Sequence, residues 1–537
     1  MSKQLKQSQG ARTPIKKGMD KLAEIVKVTL GPKGRSVIIE KEFGEVDVTQ
    51  DGVTVARSID LKDRFENVGA QLVKSVAVRT NDEAGDGTTT AIVLAQAMIN
   101  EGIKYSELGV NALAIRKGMK IAIKDICDEL EKETIKVKDK KQMEEVATIS
   151  AKDAEIGKIV ADSMDKVGKT GIVNVEKGQT NKIEQELVEG FKFDKGFISP
   201  YMMTDKNKQV SEYDNPYILI TDKAITDIQS IMPILEKLAQ QGKKEIIIIC
   251  GDISGDALLT LVINNVKSAY KSLAVKAPYY GDKQKQALED MAILTGGTLV
   301  TQDIGLELKD IDIEHLGRAR KISSTKDFTI IIEGAGEKKN ISERIKQLQK
   351  ELENEKNDYI KETIRERLGR LSGVISVIKV GANSETEQRE LEARFEDAIS
   401  ATQSALEEGI VQGGGLALIK AKEKIINQDR KPLPSVDEER GYEIVLNAIE
   451  KPFYQILSNS GRKPDVILDT ILKNKDNQWG YDAATERYVN MIKAGIIDPK
   501  KVVRCALENA GSIAEMILST EGVVCLEEEQ KKPNLMG

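Results

Sequence analysis

The chain has 537 residues and carries 80 Lys and Arg against 86 Asp and Glu, which gives a net charge of -6 at pH 7. A chain of this length is too long for one hydrophobic core, so we expect several domains. The slightly acidic balance excludes a nucleic-acid partner held by overall basic charge, and we predict none. With 40% hydrophobic and 31% charged residues, the composition is typical of a globular protein.

Cysteine and histidine are too sparse for a zinc site or a Cys/His nucleophilic pair. The four cysteines lie far apart, at positions 127, 250, 505 and 525, and His315 is the only histidine. No apolar run approaches the ~20 residues of a membrane span, and the N-terminus lacks the apolar core of a secretory signal. We therefore expect reduced thiols, a cytoplasmic location and no membrane partner.

The first part of the chain is predicted to be helical and contains two glycine turns. An amphipathic helix ends at the turn Thr29-Leu30-Gly31-Pro32, and an extended run follows at 36–40. Further on, Asp86-Gly87-Thr88-Thr89-Thr90 precedes the strong helix former 91–99. Because the N-terminus of a helix attracts phosphate, this second turn outlines a nucleotide site, with an ordinary Thr-capped helix as the alternative.

The middle of the chain has a different pattern. Between about residues 170 and 380, short β-branched runs at 172–175, 218–220, 246–249 and 328–332 alternate with helical stretches. This alternation predicts an α/β domain with a partly parallel sheet. The densely charged segment 350–370 predicts a long solvated helix or a helical pair. After residue 380 the pattern returns to helices, and the residues alone leave open whether these form a domain of their own.

Other nucleotide motifs are incomplete. Gly168-Lys169-Thr170 ends like a P-loop, but Ser163 stands where that motif requires glycine. Neither Gly334-Ala335-Gly336 nor Gly413-Gly414-Gly415 completes a dinucleotide fingerprint. The turns at 29–32 and 86–90 therefore remain the candidates for nucleotide binding.

These two turns, together with Gln50-Asp51-Gly52 and Gly413-Gly414-Gly415, resemble the ATP pocket of the group I chaperonins, the GroEL family. The similarity continues in matching order from about residue 10 to about residue 525, and the chain is identified as a member. The resemblance implies a multidomain α/β subunit with a helical equatorial ATP-binding domain, a small α/β intermediate hinge domain and an α/β apical domain. The expected borders are 1–132 with 408–537 for the equatorial domain, 133–188 with 376–407 for the intermediate domain, and 189–375 for the apical domain.

The resemblance also implies ATP and Mg²⁺ as cofactors, with K⁺ as an optional further ion. Asp86 would hold Mg²⁺, while Asp397 and Asp51 would orient the attacking water. Asp397 would reach the nucleotide only when the intermediate domain moves, although without the resemblance it is one carboxylate among many on an exposed helix. The remaining contacts to phosphates, base and ribose are expected from Thr29, Leu30, Gly31, Pro32, Gln50, Gly87, Thr88, Thr89, Thr90, Ile149, Gly413, Gly414, Asp482, Ala483, Ala484, Ile496 and Asp498.

The chain departs from the family pattern at several places. Gln50 stands where many bacterial members have Lys, which removes a positive charge near the phosphates. Asp482 stands where many have Asn, so acceptor oxygens are kept and the amide donor is lost. Val374 replaces the second glycine of an apical hinge pair, and the end of the chain, 527–537, lacks the Gly-Gly-Met repeats of many relatives. We expect ATP binding to survive these changes.

Two segments, 227–241 and 256–267, are apolar over more than one face. In an isolated α/β domain such a pattern favours burial, but it is also typical of a helix that offers a face to a partner. The resemblance favours the second interpretation and implies an apical groove for unfolded polypeptides and for a co-chaperonin lid. The expected groove residues are Phe197, Tyr201, Met202, Met232, Leu235, Leu258, Val262 and Ile263.

The leading hypothesis is therefore an ATP-hydrolysing folding chamber. The resemblance implies a homo-oligomer of two stacked seven-membered rings and leaves a single ring open. The first alternative is a ring-forming holdase with weak or no ATP cycling. The second is a small-molecule kinase that uses the Gly-Asp-Gly-Thr turn for ATP, but the sequence offers no site for a second substrate.

Overall fold

The computed structural model describes residues 3–40, 46–168, 172–206, 208–355, 358–371, 373–428 and 430–526, so the altered chain end at 527–537 lies outside the described residues. The described residues separate into two compact units. Unit 1 comprises those within Met1–Asp165, Val175–Glu184 and Lys379–Gly537, and unit 2 those within Lys166–Asn174 and Gln185–Ile378. Unit 2 contains the predicted apical domain, and unit 1 contains the predicted equatorial domain and most of the intermediate one. The further division of unit 1 stays a prediction.

Helices dominate the structure. Their bounds are α1 (Gln9–Val26), α2 (Gly52–Ser58), α3 (Arg64–Ala84), α4 (Thr88–Glu107), α5 (Ala112–Glu133), α6 (Lys140–Ala151), α7 (Ala154–Val167), α8 (Met232–Gln240), α9 (Gly255–Val266), α10 (Asp282–Thr295), α11 (Lys338–Asn354), α12 (Asp358–Leu371), α13 (Glu385–Glu408), α14 (Leu416–Ile426), α15 (Val436–Ala448), α16 (Lys451–Asn459), α17 (Pro464–Leu472) and α18 (Lys500–Leu518). None of these described helices combines the length and apolar character that crossing a membrane requires.

The strands are mostly short. Their bounds are β1 (Lys3–Gln7), β2 (Val37–Glu40), β3 (Val46–Thr49), β4 (Ile172–Lys177), β5 (Glu184–Phe193), β6 (Ser211–Asp214), β7 (Tyr217–Thr221), β8 (Ala224–Ile225), β9 (Glu245–Cys250), β10 (Asp252–Ile253), β11 (Lys271–Lys276), β12 (Leu299–Val300), β13 (Gly317–Ser324), β14 (Thr329–Gly334), β15 (Val374–Val380), β16 (Ile410–Gln412), β17 (Trp479–Asp482), β18 (Arg487–Asn490), β19 (Ile497–Pro499) and β20 (Gly522–Leu526). The extended run predicted at 36–40 is therefore confirmed as β2.

Unit 1 is built around a bundle of long helices. α1 packs on α3, α5 on α15, and α4 on α18. The apolar residues of α1 recur every three or four positions, so Ile15, Met19 and Leu22 are fully enclosed on one face. α4 is buried more completely, because Ile92, Leu94, Met98 and Ile99 point to several sides and none is exposed. The start of α4 is thus held by the core of the unit. β1 pairs antiparallel with β20, so the two ends of the described chain meet.

Unit 2 contains most of a mixed sheet, in which β11, β9, β7, β13, β14 and β5 are neighbours in that order. The neighbours β11, β9 and β7 are parallel, whereas β13 is antiparallel to both β7 and β14. The partly parallel sheet predicted from the alternating pattern is confirmed. Residues Ile246 to Ile249 of β9 are all fully buried, as expected for a parallel strand covered on both faces.

The charged segment at 350–370 forms the predicted helical pair, α11 and α12. Both helices are fastened to α10 by a buried carboxylate, Asp290. Arg344 of α11 donates to Asp290 at 2.9 Å, and Arg367 of α12 donates to both of its oxygens at 2.7 and 2.9 Å. The paired guanidinium groups satisfy a charge that would be costly to bury alone.

Candidate functional site

The turn between α3 and α4 places Asp86 at the start of a buried helix. Gly85 and Gly87 have φ of 70° and 81°, a region that side chains rarely adopt, and a Cβ on Gly85 would lie 2.1 Å from Ser400 Cβ. The Asp86 carboxylate accepts a hydrogen bond from the Gly87 N–H at 2.5 Å and from the Ser150 hydroxyl at 2.9 Å. Both glycines are therefore required to fix this carboxylate in place.

The first turn of α4 has free donors. No side chain caps the helix, whose N-cap is Gly87, so the backbone N–H groups of its first turn have no partner within the helix. α2 begins close by, since a Cβ on Gly52 would lie 2.1 Å from Thr89 Oγ1. Thr29 Oγ1 also lies 3.3 Å from Thr89 Oγ1. This arrangement is suited to an anion, because the N–H groups and the helix dipole both attract negative charge.

The turn at Thr29-Leu30-Gly31 is held by α16. Asn459 donates from Nδ2 to the carbonyl oxygens of Lys27 and Leu30, both at 2.9 Å. Gly31, with φ of 86°, lies against Ile456, where an added Cβ would approach a side-chain methyl to 3.0 Å. Sequence reasoning missed Asn459, because no local signal connects it to Leu30 of the turn, 429 residues away.

These turns surround one cavity within unit 1, which we call the acidic cavity. Its lining residues are Thr29, Leu30, Gly31, Thr49, Gln50, Asp51, Gly52, Asp86, Gly87, Thr88, Thr89, Thr90, Ser150, Ala151, Lys152, Glu390, Ala393, Arg394 and Asp397. The structure thus brings together the three carboxylates predicted for metal binding and catalysis, Asp51, Asp86 and Asp397, with the predicted phosphate turns. Ser150, Lys152 and Arg394 were not predicted, although Ser150 directly follows the predicted Ile149 and Lys152 lies two residues further on.

The three carboxylates differ in their surroundings. Burial raises the pKa of Asp397 well above its ordinary value, and repulsion from Asp51 and Asp86 raises it further. Burial also raises the pKa of Asp86, although the hydrogen bonds from Gly87 and Ser150 oppose the shift. Asp51 caps α2, accepting from the N–H groups of Val53 and Thr54 at 3.1 and 2.9 Å. Among the described residues, no group donates a hydrogen bond to the Asp397 carboxylate.

The protein side chains alone do not complete a metal site. Within the described ranges, no group of three or more His, Cys, Asp and Glu side chains is placed to hold a metal ion. Mg²⁺ in proteins is commonly bound by one or two carboxylates together with substrate phosphates and water. The acidic cavity fits that pattern, since Asp86 lies beside the free N–H groups of α4. The Asp86 carboxylate and these N–H groups together therefore suit a metal ion bound to phosphate better than a metal ion alone.

The residues predicted for base and ribose lie around a second turn, outside the lining of the acidic cavity. β16 pairs with β19, and Gly413 donates its N–H to the Ile496 carbonyl at 3.0 Å. Asp498 accepts the N–H groups of Gly414 and Gly415, while burial and the charge of Asp86 raise its pKa to about 7. The helix α16 contacts both regions. Its Asn459 holds the residue 29 turn, and its Phe453 and Leu457 share a core with Ala483, one of the residues predicted to contact the base.

Asp482 has a local structural role. Its carboxylate accepts from the Ala484 N–H at 2.8 Å and from the Thr485 hydroxyl at 2.6 Å, which closes the turn between β17 and β18. Its oxygens are therefore engaged in the turn, and a contact from Asp482 to a base stays a prediction. The remaining predicted residues Pro32, Ile149, Ala484 and Ile496 do not line the acidic cavity.

In unit 2, the segments predicted as client-binding surface have one buried and one accessible side. α9 buries Ala257 and Leu261, and its Leu259, Ile263 and Val266 are 58%, 44% and 64% exposed. Tyr201, in the 3-10 helix 200–202 that contacts α9, is 66% exposed. Met232, Leu235, Leu258 and Val262 are partly buried and pack against the core of unit 2. We define the apolar face as Tyr201, Met232, Leu235, Leu258, Leu259, Val262, Ile263 and Val266.

Two predicted groove residues are corrected by the structure. Phe197 is 9% exposed and Met202 is 1% exposed, and both belong to the core of unit 2. The Met202 sulfur accepts the Ala274 N–H at 3.3 Å, and Phe197 donates its N–H to the Thr325 carbonyl at 3.0 Å. These contacts turn both residues inward beside β11, so they support the apolar face and do not form it.

Comparison with known proteins agrees with this architecture. The profile of the TCP-1/cpn60 chaperonin family matches residues 22–528 of the chain. Among solved structures, the chain is similar to the chaperonin gp146 from the bacteriophage EL 2 (Pseudomonas aeruginosa), crystallised in the presence of ATP-BeFx. The TM-score is 0.66 at 21% identity, over 98% of this chain and 99% of that one. The predicted multidomain α/β chaperonin fold is confirmed, and because the family match spans nearly the whole chain, the protein belongs to the TCP-1/cpn60 chaperonin family.

Proposed function

We propose that this protein is an ATP-dependent chaperone that captures unfolded polypeptides on the apolar face of unit 2 and uses ATP hydrolysis to drive their folding. The observation that carries the proposal is the meeting of the uncapped start of α4 with Asp51, Asp86 and Asp397 in one cavity. Membership of the chaperonin family supports it. The similar phage chaperonin was crystallised with an ATP analogue, which is consistent with a nucleotide at this place.

The residues of the acidic cavity have separate parts in this proposal. The N–H groups of Thr88, Thr89 and Thr90 would bind phosphate oxygens, and Asp86 would hold Mg²⁺ with the help of Ser150. Mg²⁺ supplies neutralisation of the phosphate charge. K⁺ stays an optional further ion. The base and ribose would lie toward Gly414 and Asp498.

Asp397 is better placed than Asp51 to orient the attacking water. Both oxygens of Asp51 already accept N–H groups of α2, whereas the Asp397 carboxylate has no hydrogen-bond donor among the described residues. Burial raises the pKa of Asp397, which makes its carboxylate a stronger base. Cations that enter the cavity with the nucleotide would favour the charged form that can accept a hydrogen from water. Whether movement of the predicted intermediate domain controls this residue stays a prediction.

The apolar face is suited to many different clients. Apolar attraction is non-directional and contributes roughly 25 cal/mol for each Å² removed from water. Met232 adds a side chain that adapts its shape to different partners. The same face would accept the apolar loop of a co-chaperonin lid, which would displace the client. A homo-oligomer of two seven-membered rings and a cytoplasmic location complete the proposal.

The first experiment compares ATP turnover of the wild type, Asp397→Ala and Glu407→Ala, with the mass of each checked by light scattering. Glu407 is an exposed carboxylate on the same helix, paired with Lys501 outside the cavity, and is the matched control. We expect Asp397→Ala to retain assembly and ATP binding while its turnover falls by about 10²- to 10⁴-fold. Glu407→Ala should keep wild-type turnover.

Other results would lead elsewhere. A large oligomer that binds unfolded protein but turns over no ATP, even as the wild type, would identify a holdase. Turnover by a small species would contradict the ring assembly. Equal loss of turnover in Asp397→Ala and Glu407→Ala would mean that α13 acts through its fold and not through the Asp397 carboxylate.

A further inference from the structure

Lys152 occupies an unusual position at the end of α6. It is the residue that ends the helix, and its φ of 56° and ψ of 28° lie in the left-handed region, where glycine or asparagine is favoured. Residues held in this region by their surroundings are concentrated at functional sites. Lys152 also lines the acidic cavity.

The Lys152 ammonium reaches both turns that lie opposite α4. Its Nζ donates to the Thr29 carbonyl oxygen at 3.3 Å and to Gln50 Oε1 at 3.4 Å. Gln50 is itself oriented by Ser36, whose hydroxyl accepts from Nε2 at 3.3 Å. The ammonium therefore contacts the phosphate turn at residue 29 and the neutral residue that precedes Asp51. Both acceptors are uncharged and the distances are long for hydrogen bonds, so a charged oxygen would bind the ammonium more strongly.

Lys152 differs from the other cation in the cavity wall. Arg394 is paired with Glu390 of the same helix, one turn earlier, at 2.5 Å. In contrast, no carboxylate of the described residues lies within ion-pair distance of Lys152 Nζ. Desolvation lowers the pKa of Lys152, and repulsion from Arg394 adds to this shift, while Asp86, Asp397 and Asp51 oppose it. Lys152 is thus the cavity cation with charge left to offer to a ligand.

We infer that Lys152 is a phosphate-binding residue of this chaperonin, and that its ammonium supplies the positive charge that the neutral Gln50 does not supply at the same turn. The inference rests on the proposed function, since it concerns the same nucleotide. The ligand group is a polyphosphate oxygen, because the ammonium lies beside the turn that faces the uncapped N-terminus of α4. Exchange of the Thr29 carbonyl for that oxygen requires only a movement of the flexible lysine side chain.

The test is a titration of ATP, and separately of ADP, into the oligomer by calorimetry with Mg²⁺ present. The variants are Lys152→Gln, Lys152→Arg and the double variant Gln50→Lys/Lys152→Gln. Lys158→Gln is the control, because Lys158 is an exposed lysine on α7 that does not line the cavity. The thermal midpoint without nucleotide is recorded for each variant, to separate binding from folding.

We expect Lys152→Gln to weaken ATP binding by about 10- to 100-fold, the usual effect of losing a charged hydrogen bond. Lys152→Arg should keep most of the affinity, and Gln50→Lys should restore at least part of what Lys152→Gln loses. Lys158→Gln should bind as the wild type does. If Lys152 only stabilised the end of α6, a lysine at position 50 could not compensate for its loss.

Three results would overturn the inference, and they differ in what they say about the proposed function. Wild-type affinity in Lys152→Gln would remove Lys152 from phosphate binding while leaving ATP binding by the cavity intact. Weak binding in Lys152→Gln that neither arginine nor Gln50→Lys restores would assign Lys152 a structural role only. Failure of the wild type to bind ATP would overturn the proposed function and the inference together.

Discussion

The acidic cavity and the apolar face recognise their proposed ligands by different means. In the cavity, polar atoms are fixed by turns, as in the Gly85-Asp86-Gly87 turn and the Asn459 bonds to the residue 29 turn. On the apolar face, side chains of α9 and the neighbouring 3-10 helix offer exposed surface with no fixed hydrogen-bond geometry. The cavity is therefore sensitive to the position of single atoms, whereas the face is sensitive to its total apolar area.

This contrast predicts that the two regions can be damaged separately. Apart from the loss of turnover expected for Asp397→Ala, the largest effect is expected on the apolar face. The double variant Leu259→Ser/Ile263→Ser should bind an unfolded client about 10- to 100-fold more weakly, because burying each such side chain contributes up to ~1.5–3 kcal/mol. The measurement is fluorescence titration with a chemically unfolded protein. ATP turnover without client should be unchanged.

The matched control for the face is Val436→Ser/Val466→Ser. These valines of unit 1 are 69% and 62% exposed, so the control removes a similar amount of exposed apolar surface. It should leave client binding unchanged. Equal losses in the two double variants would show that clients respond to apolar surface in general and not to the apolar face.

A smaller effect is expected when a supporting residue of the cavity is removed. Asn459→Ala leaves the carbonyl oxygens of Lys27 and Leu30 without their donor, which loosens the residue 29 turn. We expect the KM for ATP to rise about 5- to 10-fold with little change in kcat, since a lost hydrogen bond contributes ~0.5–1.5 kcal/mol. Asn427→Ala, at an exposed asparagine after α14, is the control for steady-state kinetics. A fall in kcat at unchanged KM would instead connect Asn459 to the chemical step.

The smallest predicted effect concerns the pH dependence of stability without nucleotide. Burial and the charge of Asp86 raise the pKa of Asp498 to about 7, and burial raises the pKa of Asp86 and Asp397. Between the ordinary carboxyl pKa and these raised values, the folded state binds more protons than the unfolded state, so stability is lost as pH rises. The thermal midpoint should therefore fall as the pH rises from 5 to about 7.

Asp498→Asn sharpens this prediction, because it removes one of the titrating groups and keeps a side chain of the same size. Its thermal midpoint should fall less steeply with pH than that of the wild type, as measured by scanning calorimetry in buffers of equal ionic strength. A midpoint that rises over this range would contradict the raised pKa values of these buried carboxyl groups.

The features that could be predicted from the sequence are encoded locally. Asp86 to Thr90 signal a glycine turn and a helix start within a few residues, and α11 and α12 follow from a charged run that glycine and proline do not interrupt. The run of isoleucines in β9 likewise predicts a buried strand. Local signals of this kind predicted the turn that carries Asp86, whereas Asp51 and Asp397 were expected at the same site only from the family resemblance.

What the sequence did not reveal depends on contacts between distant residues. In the sequence, Asn459 is an ordinary helical asparagine, and only the tertiary structure places it in contact with residues 27 and 30. The burial of Phe197 and Met202 was missed because a segment that is apolar on both sides does not show which side the core occupies. The role of Asp482 in its own turn was missed because a carboxylate can accept from a ligand or from nearby N–H groups equally well.

The residue 29 turn has a consequence for how the protein is made. Its donor, Asn459, and the Asp498 that holds the Gly414 turn are synthesised long after the turn itself. The pairing of β1 with β20 likewise cannot form until residues 522–526 have been synthesised. A chain still emerging from the ribosome therefore lacks a finished form of the proposed nucleotide site through most of its synthesis. If the proposed function holds, ATP has little to bind until translation is almost complete, and incomplete subunits would not consume it.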